Sequence, residues 1–259
     1  MTDVFQSFRL DGRTALVTGG SRGIGKAVAR GLVEAGARVL ISAREEETLQ
    51  VAAEQIGNGL DTTVEYLVAD MADRDQVDSL GADARSHLGH VDILFNNAGT
   101  NEPQTLIETQ DDSCDRVLEI NFTSCMRLAR MLVPDMIERQ WGRIIHTSSV
   151  MAMASNAGRG IYSATKSALI AMSRAHALEL GPHGITVNCL APGPILTDLP
   201  MSILNQEQQA VFARRTALLR WGTVEEMVGP VLLLASDAGA YMTGSVILAD
   251  GGLICRTFD

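Results

Sequence analysis

Tyr162 and Lys166 are four residues apart, and Ser149 lies thirteen residues before the tyrosine. If residues 160–180 form a helix, this spacing places the phenol and the ammonium side by side on one face. The ammonium stabilises the phenolate relative to the phenol, so the tyrosine can exchange a proton with a carbonyl or alcohol oxygen. The Ser149 hydroxyl is then free to hydrogen-bond the same substrate oxygen. The trio predicts a site that reduces carbonyls or oxidises alcohols.

A glycine motif near the N-terminus follows an apolar, strand-like run and precedes a helical pattern. Gly19 permits the tight turn after the strand, Gly23 lets the backbone approach a pyrophosphate, and Gly25 lets the helix pack close to the sheet. The phosphate charge then faces the N-terminus of the helix. The motif predicts a dinucleotide cofactor.

The choice of dinucleotide depends on the end of the second strand-like run. NAD-specific domains carry an acidic residue there, which hydrogen-bonds the ribose hydroxyls, but this chain has Ala43 at that position and Arg44 after it. Arg44 and Arg22, which lies within the glycine loop, offer two guanidinium groups to a 2′-phosphate. The pattern favours NADP(H), with NAD(H) as the alternative. In a second interpretation, Arg44 only pairs with the acidic residues 45–47 on the solvent face.

Strand-like and helix-like segments alternate along the chain without a linker, a repeat or a low-complexity stretch. The strand-like segments lie near residues 13–18, 38–42, 63–69, 91–95, 142–148, 184–190 and 245–248. Such alternation is typical of a parallel sheet with helices on both faces. We expect an α/β fold of the Rossmann type, a doubly wound sheet of about seven strands, in a single domain over residues 1–259.

Composition excludes several classes of protein. A formal net charge of −10 argues against a nucleic-acid partner, since a phosphate backbone is bound by a basic face. No apolar run approaches the ~20 residues that span a bilayer, and the opening residues do not resemble a signal peptide, so we expect a cytoplasmic protein without membrane contact. The cysteines are scattered and no histidine cluster accompanies them, so no metal site is expected. His146 is interpreted as a hydrogen-bonded structural histidine.

Three further motifs lie between and beyond the two already described. Residues 96–99 (Asn-Asn-Ala-Gly) follow an apolar run, Asn121 lies in Leu-Glu-Ile-Asn-Phe, and Pro192 and Gly193 follow residues 186–191. Together with the glycine loop and the Tyr-Lys pair, they resemble the short-chain dehydrogenase/reductase family, in its short single-domain branch, over nearly the whole chain. The resemblance implies an enzyme that transfers hydride between a nicotinamide and a ketone or secondary alcohol. It also implies a homotetramer, or else a dimer.

The resemblance assigns roles to individual residues. Tyr162 is the proton donor or acceptor, Lys166 hydrogen-bonds the nicotinamide ribose, and Ser149 orients the carbonyl. Asn121 bends its helix and holds a water that links Lys166 to solvent in a proton relay. The expected cofactor-binding residues are Gly19, Ser21, Arg22, Gly23, Ile24, Gly25, Arg44, Asp70, Met71, Asn97, Ala98, Gly99, Tyr162, Lys166, Pro192, Gly193, Ile195 and Thr197.

The expected substrate pocket is mainly apolar. By the resemblance, a mobile lid over about residues 194–218 covers it, and residues 195–204 and 150–154 are largely apolar in this chain. Ser149, Met151, Asn156 and Tyr162 are the predicted substrate contacts. Such a pocket favours an apolar ketone or a 3-oxoacyl thioester. Arg159 is a polar exception that an acidic substrate could use.

Three alternatives stay open at this point. The substrate could be a sugar or polyol acid of the gluconate type, or the enzyme could reduce the double bond of an enoyl thioester. A dinucleotide-binding regulator that has lost turnover is the alternative outside enzymes, because fold and motif alone do not establish an activity.

Overall fold

The computed structural model describes residues 3–197 and 204–255. Its seven strands form one parallel sheet in the order β3-β2-β1-β4-β5-β6-β7. The strands are β1 (Thr14–Thr18), β2 (Arg38–Ala43), β3 (Glu65–Val68), β4 (Ile93–Asn96), β5 (Gly142–Thr147), β6 (Ile185–Pro192) and β7 (Val246–Ala249). The predicted doubly wound α/β fold is confirmed, and the predicted strands differ from these mainly at their ends.

Helices cover both faces of the sheet. They are α1 (Gly23–Glu34), α2 (Glu46–Gly57), α3 (Arg74–Leu88), α4 (Asp111–Leu118), α5 (Ser124–Arg139), α6 (Gly160–Leu180), α7 (Gln206–Arg215) and α8 (Val228–Ala235). Buried residues of α1, α2 and α8 belong to one core cluster, whereas those of α3 and most of those of α5 belong to another. Leu169 and Ile170 of α6 lie in a third, smaller cluster. Among the described residues, none of these helices is long and apolar enough to cross a bilayer.

The central strands explain why the sequence shows apolar runs there. In β1, Ala15 and Val17 join the first core cluster while Leu16 joins the second. Successive side chains of a strand point to opposite faces, and both faces of this sheet are covered by helices. A strand buried on both sides must therefore be apolar at nearly every position.

The strand order reverses beside β1, which pairs with β2 on one side and with β4 on the other. In open α/β sheets, ligands bind in the crevice outside the carboxyl ends of the strands at such a switch point. The glycine loop follows β1, the Asn-Asn-Ala-Gly motif begins at the end of β4, and Ser149 follows β5. The topology therefore brings motifs that are far apart in the sequence to one edge.

His146, in β5, is fully buried, and its Nδ1 lies 3.1 Å from Asn96 Nδ2. Burial, reinforced by the charges of His176 and Lys166, lowers the pKa of His146 to about 3, so the imidazole is neutral in the folded protein. In the unfolded chain it takes up a proton below its ordinary pKa of about 6.5. Because only the unfolded state is protonated in this window, His146 lowers folding stability as the pH falls from about 6.5 toward 3.

We expect His146→Gln to reduce the pH dependence of stability. Between pH 7 and pH 5 the wild-type free energy of unfolding should fall by about 2 kcal/mol more than that of the variant. Urea unfolding at both pH values measures this difference, and His183→Gln, at a half-buried histidine, is the control. Equal losses in wild type and His146→Gln would show that His146 is protonated in the folded state.

Candidate active site

A cavity of about 710 Å³ opens at the carboxyl edge of the sheet. Its lining includes every predicted cofactor-binding residue except Gly25, which is buried beneath the loop. Ser149, Tyr162 and Lys166 line the same cavity. The motifs identified in the sequence therefore meet in a single space of the size that a dinucleotide and a small substrate require.

The glycine loop has the backbone geometry that its sequence predicts. Gly19 and Gly23 have φ angles of +65° and +56°, a region in which residues other than glycine are strained. At Gly25 the constraint is close packing, because an added Cβ would overlap the Gly19 carbonyl oxygen and lie 2.5 Å from Asn97 Nδ2. The loop therefore leaves the N-terminus of α1 directed at the cavity, where backbone N–H groups favour an anion.

The segment after β4 braces this loop. Asn97 Nδ2 donates to the carbonyl oxygens of Thr18 and Gly19, at 3.1 and 3.2 Å. The backbone N–H groups of Asn97 and Ala98 donate in turn to Thr18 Oγ1, at 3.0 and 3.1 Å. These four bonds tie the end of β1 to the end of β4, so the second motif holds the shape of the first.

Helix α6 carries Tyr162 and Lys166 as neighbours. Lys166 Nζ lies 5.6 Å from the centre of the Tyr162 ring and donates to the Thr147 carbonyl oxygen at 2.7 Å. The lysine is 3% exposed. The last residue of β5 therefore holds a buried ammonium beside the phenol, which is the arrangement that the spacing predicted.

Ser149 caps a short 3₁₀ turn over Val150–Ala152. Its Oγ accepts a hydrogen bond from Met151 N at 3.1 Å. The hydroxyl proton is not used in this bond, so the serine can donate it to an oxygen in the cavity.

Asn121 lies in a π-helical turn, Glu119–Thr123, between α4 and α5. Its Oδ1 accepts from Thr100 N at 2.8 Å, while its Nδ2 donates to Thr100 O at 2.9 Å and Thr165 Oγ1 at 3.2 Å. The predicted irregularity of this helix is present, and turns of this kind are frequent at functional sites. Its side chain fastens the segment after β4 to α6 from outside the cavity lining. The proton relay through Asn121 stays a prediction.

The other end of the cavity is formed by the ends of β2 and β3. Arg44 is exposed there and makes no ion pair within the described part of the chain. Ser42 was missed by the sequence reasoning: it lines the cavity, and its buried Oγ has no hydrogen-bond partner among the described residues. Asp70 accepts from Ala72 N at 3.0 Å, which shapes the turn that carries Met71.

The substrate region differs from the prediction at Asn156. This residue is exposed and does not line the cavity, and its carbonyl oxygen accepts from Arg159 N at 3.2 Å. The turn that Asn156 helps to form brings Arg159 to the cavity in its place. Arg159 Nη1 and Asn101 Oδ1 are buried without hydrogen-bond partners in the ranges 3–197 and 204–255.

Part of the predicted lid lies outside the described residues, because positions 198–203 are not among them. On either side, Ile195, Thr197, Leu204 and Phe212 line the cavity. Trp221 joins them and packs against Phe212, with ring centroids 5.8 Å apart. Phe212 lies within the predicted lid, whereas Trp221 lies beyond it and was not predicted, since it reaches the site only through the tertiary fold. The mobility of the lid stays a prediction.

This fold and site define a dinucleotide-dependent oxidoreductase. The model of the family described as short chain dehydrogenase matches residues 13–208. The chain is 39% identical to nodulation protein G of Rhizobium sp. (strain N33) over 246 residues, covering 95% of this chain and 98% of that protein. It therefore belongs to the short-chain dehydrogenase/reductase family.

Two other similar proteins are named for their activities. The 3-oxoacyl-acyl-carrier-protein reductase of Salmonella typhimurium is 36% identical over 243 residues, with 94% of this chain and 98% of the relative covered. A gluconate 5-dehydrogenase from Burkholderia cenocepacia J2315, solved in complex with NADP and tartrate, is 32% identical. Its structure has a TM-score of 0.92 and covers 98% of this chain and all of that one. The family is thus shown, while the two relatives differ in substrate.

Proposed function

We propose that this protein is an NADP(H)-dependent oxidoreductase that interconverts a ketone and a secondary alcohol, with Tyr162 as proton donor in reduction and acceptor in oxidation. The observation that carries the proposal is the position of Tyr162, Lys166 and Ser149 in the same cavity as the glycine loop. A proton-transfer group and a dinucleotide cradle in one cavity are the two requirements of carbonyl reduction by hydride transfer.

The residues present fit a nicotinamide dinucleotide. The left-handed Gly19 and Gly23, the close packing at Gly25 and the N-terminus of α1 together form a cradle for a pyrophosphate. When bound, NADP(H) supplies or accepts the hydride. Met71, Ala98 and Ile195 line the remaining wall, where flat rings bury apolar surface.

In reduction, the protein's part is to place and protonate the substrate oxygen. Ser149 Oγ donates a hydrogen bond to that oxygen and Tyr162 delivers its phenolic proton to it. Lys166, held by the Thr147 carbonyl at 2.7 Å, stabilises the phenolate that remains. In oxidation the same groups act in the reverse direction, and Tyr162 receives the proton of the alcohol.

Preference for NADP(H) is supported by the end of β2. Ala43 has no carboxylate for the ribose hydroxyls, and Arg44 is exposed beside the cavity without a carboxylate partner among the described residues. The gluconate 5-dehydrogenase named above was solved with NADP. The interpretation in which Arg44 is occupied by the acidic residues 45–47 is not supported.

Arg44→Asp should shift the cofactor preference toward NADH. The change removes a charge-assisted bond to the 2′-phosphate and adds a carboxylate for the ribose, so kcat/KM for NADPH should fall about 10- to 100-fold relative to NADH. Arg44→Lys keeps the charge but loses the planar guanidinium. Its ratio of kcat/KM for NADPH to kcat/KM for NADH should lie between those of wild type and Arg44→Asp. Measuring kcat/KM for both cofactors in the three proteins tests this, and a wild-type preference for NADH would contradict it.

The substrate proposed is a ketone on an apolar chain or a 3-oxoacyl thioester. Val150, Met151, Leu204, Phe212 and Trp221 line the cavity with apolar surface, and methionine adapts to several shapes. The similarity to a 3-oxoacyl reductase supports this class. A gluconate-type acid is the second candidate, favoured by Arg159 in the cavity and by the gluconate 5-dehydrogenase relative.

A substrate panel separates these candidates. Purified protein is assayed with NADPH and NADH against apolar ketones and 3-oxoacyl thioesters, and with NADP⁺ and NAD⁺ against gluconate-type acids. We expect the first two groups to give the higher kcat/KM. Preference for polyhydroxylated acids would establish the second candidate, and turnover with none of the three groups would support the binding regulator.

The assembly proposed is a homotetramer or a dimer. Tyr241 and Leu178, on the turn before β7 and on α6, are almost fully exposed apolar side chains that a second copy could cover. Sedimentation velocity measures the assembly directly.

A cytoplasmic location is supported by the cysteines, which are free thiols as in a reducing compartment. They are Cys114, Cys125, Cys189 and Cys255.

A further inference from the structure

Arg159 stands directly before α6 and lines the cavity. Its Nη1 is buried and has no hydrogen-bond partner within the described part of the chain, and no described carboxylate lies within ion-pair distance of the guanidinium. A buried donor on a charged group costs free energy when it is left unpaired. An acceptor from outside the chain would remove that cost.

The other cations at this end of the cavity are already engaged. Lys166 Nζ donates to the Thr147 carbonyl oxygen, and Arg116 Nε lies 3.4 Å from Glu102 Oε1. Arg116 is also 44% exposed, so solvent satisfies its remaining donors. Arg159 differs from both in holding an unused, dehydrated donor inside the cavity.

Arg159 is also close to the reacting group. It is the N-cap residue of α6, and Tyr162 lies in the first turn of that helix. Both residues line the cavity, and burial lowers the pKa of Arg159, an effect that a phenolate at Tyr162 would oppose. A guanidinium remains protonated at neutral pH. A ligand group bound by Arg159 is therefore near the oxygen that Tyr162 protonates.

We propose that Arg159 binds a carboxylate of the substrate, so that the substrate is an oxo acid whose carboxylate lies a few bonds from the reacting carbonyl on an otherwise apolar chain. This inference rests on the proposed function and narrows its substrate class. The planar guanidinium matches the two oxygens of a carboxylate. Val150 and Met151, which line the same cavity, offer no charge, so they suit the apolar chain of the substrate and not a second polar group.

The test compares an acid with its uncharged ester. The ratio of kcat/KM for 3-oxohexanoate to kcat/KM for methyl 3-oxohexanoate is measured with NADPH in wild type, Arg159→Gln, Arg159→Lys and Arg116→Gln. Loss of a charge-assisted bond should lower this ratio about 10- to 100-fold in Arg159→Gln. Arg159→Lys should give an intermediate ratio, and Arg116→Gln should stay within about threefold of wild type because Arg116 is already paired. A ratio unchanged in Arg159→Gln overturns the inference.

A second arm distinguishes the source of the anionic oxygens. The kcat/KM for a ketone that carries a phosphate monoester is compared with that for the same ketone without the phosphate, which has a free hydroxyl in its place. The same four proteins are used. If Arg159→Gln lowers the ratio of kcat/KM for the phosphorylated ketone over its uncharged counterpart more than it lowers the acid-to-ester ratio, the site binds phosphate. The carboxylate assignment is then wrong.

A binding measurement keeps the inference testable without turnover. Hexanoate and hexanamide are titrated into protein saturated with NADP⁺, and wild type is compared with Arg159→Gln by NMR. We expect the hexanoate Kd to rise about tenfold or more while the hexanamide Kd changes less. Equal changes in the Kd values for hexanoate and hexanamide, or no change in either, overturn the inference. Absence of turnover with acid, ester and ketone alike, together with the expected hexanoate result, would instead count against the proposed function.

Discussion

Tyr162→Phe should lower kcat for ketone reduction by about 10²- to 10⁴-fold, the usual contribution of a general acid. The substitution removes only the phenolic oxygen, so the substrate oxygen loses its proton donor while the ring is retained. The glycine loop and Arg44 lie elsewhere in the cavity. We therefore expect the Kd for NADPH to stay within about threefold of wild type, because phosphate contacts supply much of the affinity at such sites.

Steady-state rates and a fluorescence titration with NADPH measure the two quantities separately. Tyr241→Phe is the matched control, since Tyr241 is fully exposed and does not line the cavity. Activity of Tyr162→Phe near that of the control would exclude Tyr162 as the proton donor. A parallel loss of NADPH binding would mean that the phenol acts mainly in the cofactor site.

Gly25→Ala should have the second largest effect. An added Cβ would collide with the Gly19 carbonyl oxygen, which is backbone, and with Asn97 Nδ2, which is held by hydrogen bonds to the Thr18 and Gly19 carbonyl oxygens. Overpacking of this kind costs about 1–3 kcal/mol. Because the displaced atoms shape the pyrophosphate cradle, we expect the Kd for NADPH to rise about 10- to 100-fold.

The control for this substitution is Gly229→Ala. Gly229 also lies in a helix, α8, but an added Cβ there meets nothing within 4 Å. That variant should bind NADPH as wild type does, because Gly229 is exposed and lies outside the cavity lining. Equal NADPH affinities in Gly25→Ala and Gly229→Ala would show that close packing at Gly25 does not shape the cofactor site.

Much of the fold was predictable because the sequence patterns of strands, helices and glycine loops depend on neighbouring residues alone. A strand buried on both faces is apolar at almost every position, which made β1 and β4 visible as runs. Helix α6 was predicted over residues 160–180 and extends over Gly160–Leu180. Glycine loops are recognisable for the same reason, since positive φ angles and close approach restrict the residue type at Gly19 and Gly25.

The parts of the site that sequence reasoning missed depend on side-chain direction and on distant packing. Asn156 and Arg159 are three residues apart, and only the turn between them decides which one reaches the cavity. Trp221, beyond the predicted lid, reaches the cavity through the fold of the C-terminal segment. The engagement of the Asn121 amide by Thr100 and Thr165 likewise follows from tertiary contacts that no local pattern encodes.

The central claim is that the protein moves a hydride between a nicotinamide and a carbonyl carbon. Mass spectrometry of products formed from NADPH deuterated at both C4 positions tests it most directly, with 3-oxo acids, 3-oxoacyl thioesters, apolar ketones and enoyl thioesters as substrates. We expect one deuterium on the carbinol carbon of an alcohol product in wild type, with the hydroxyl proton taken from solvent, and formation of this product about 10²- to 10⁴-fold slower with Tyr162→Phe. Deuterium in a saturated acyl chain whose carbonyl is intact, or no consumption of NADPH with any of these substrates, would contradict the claim.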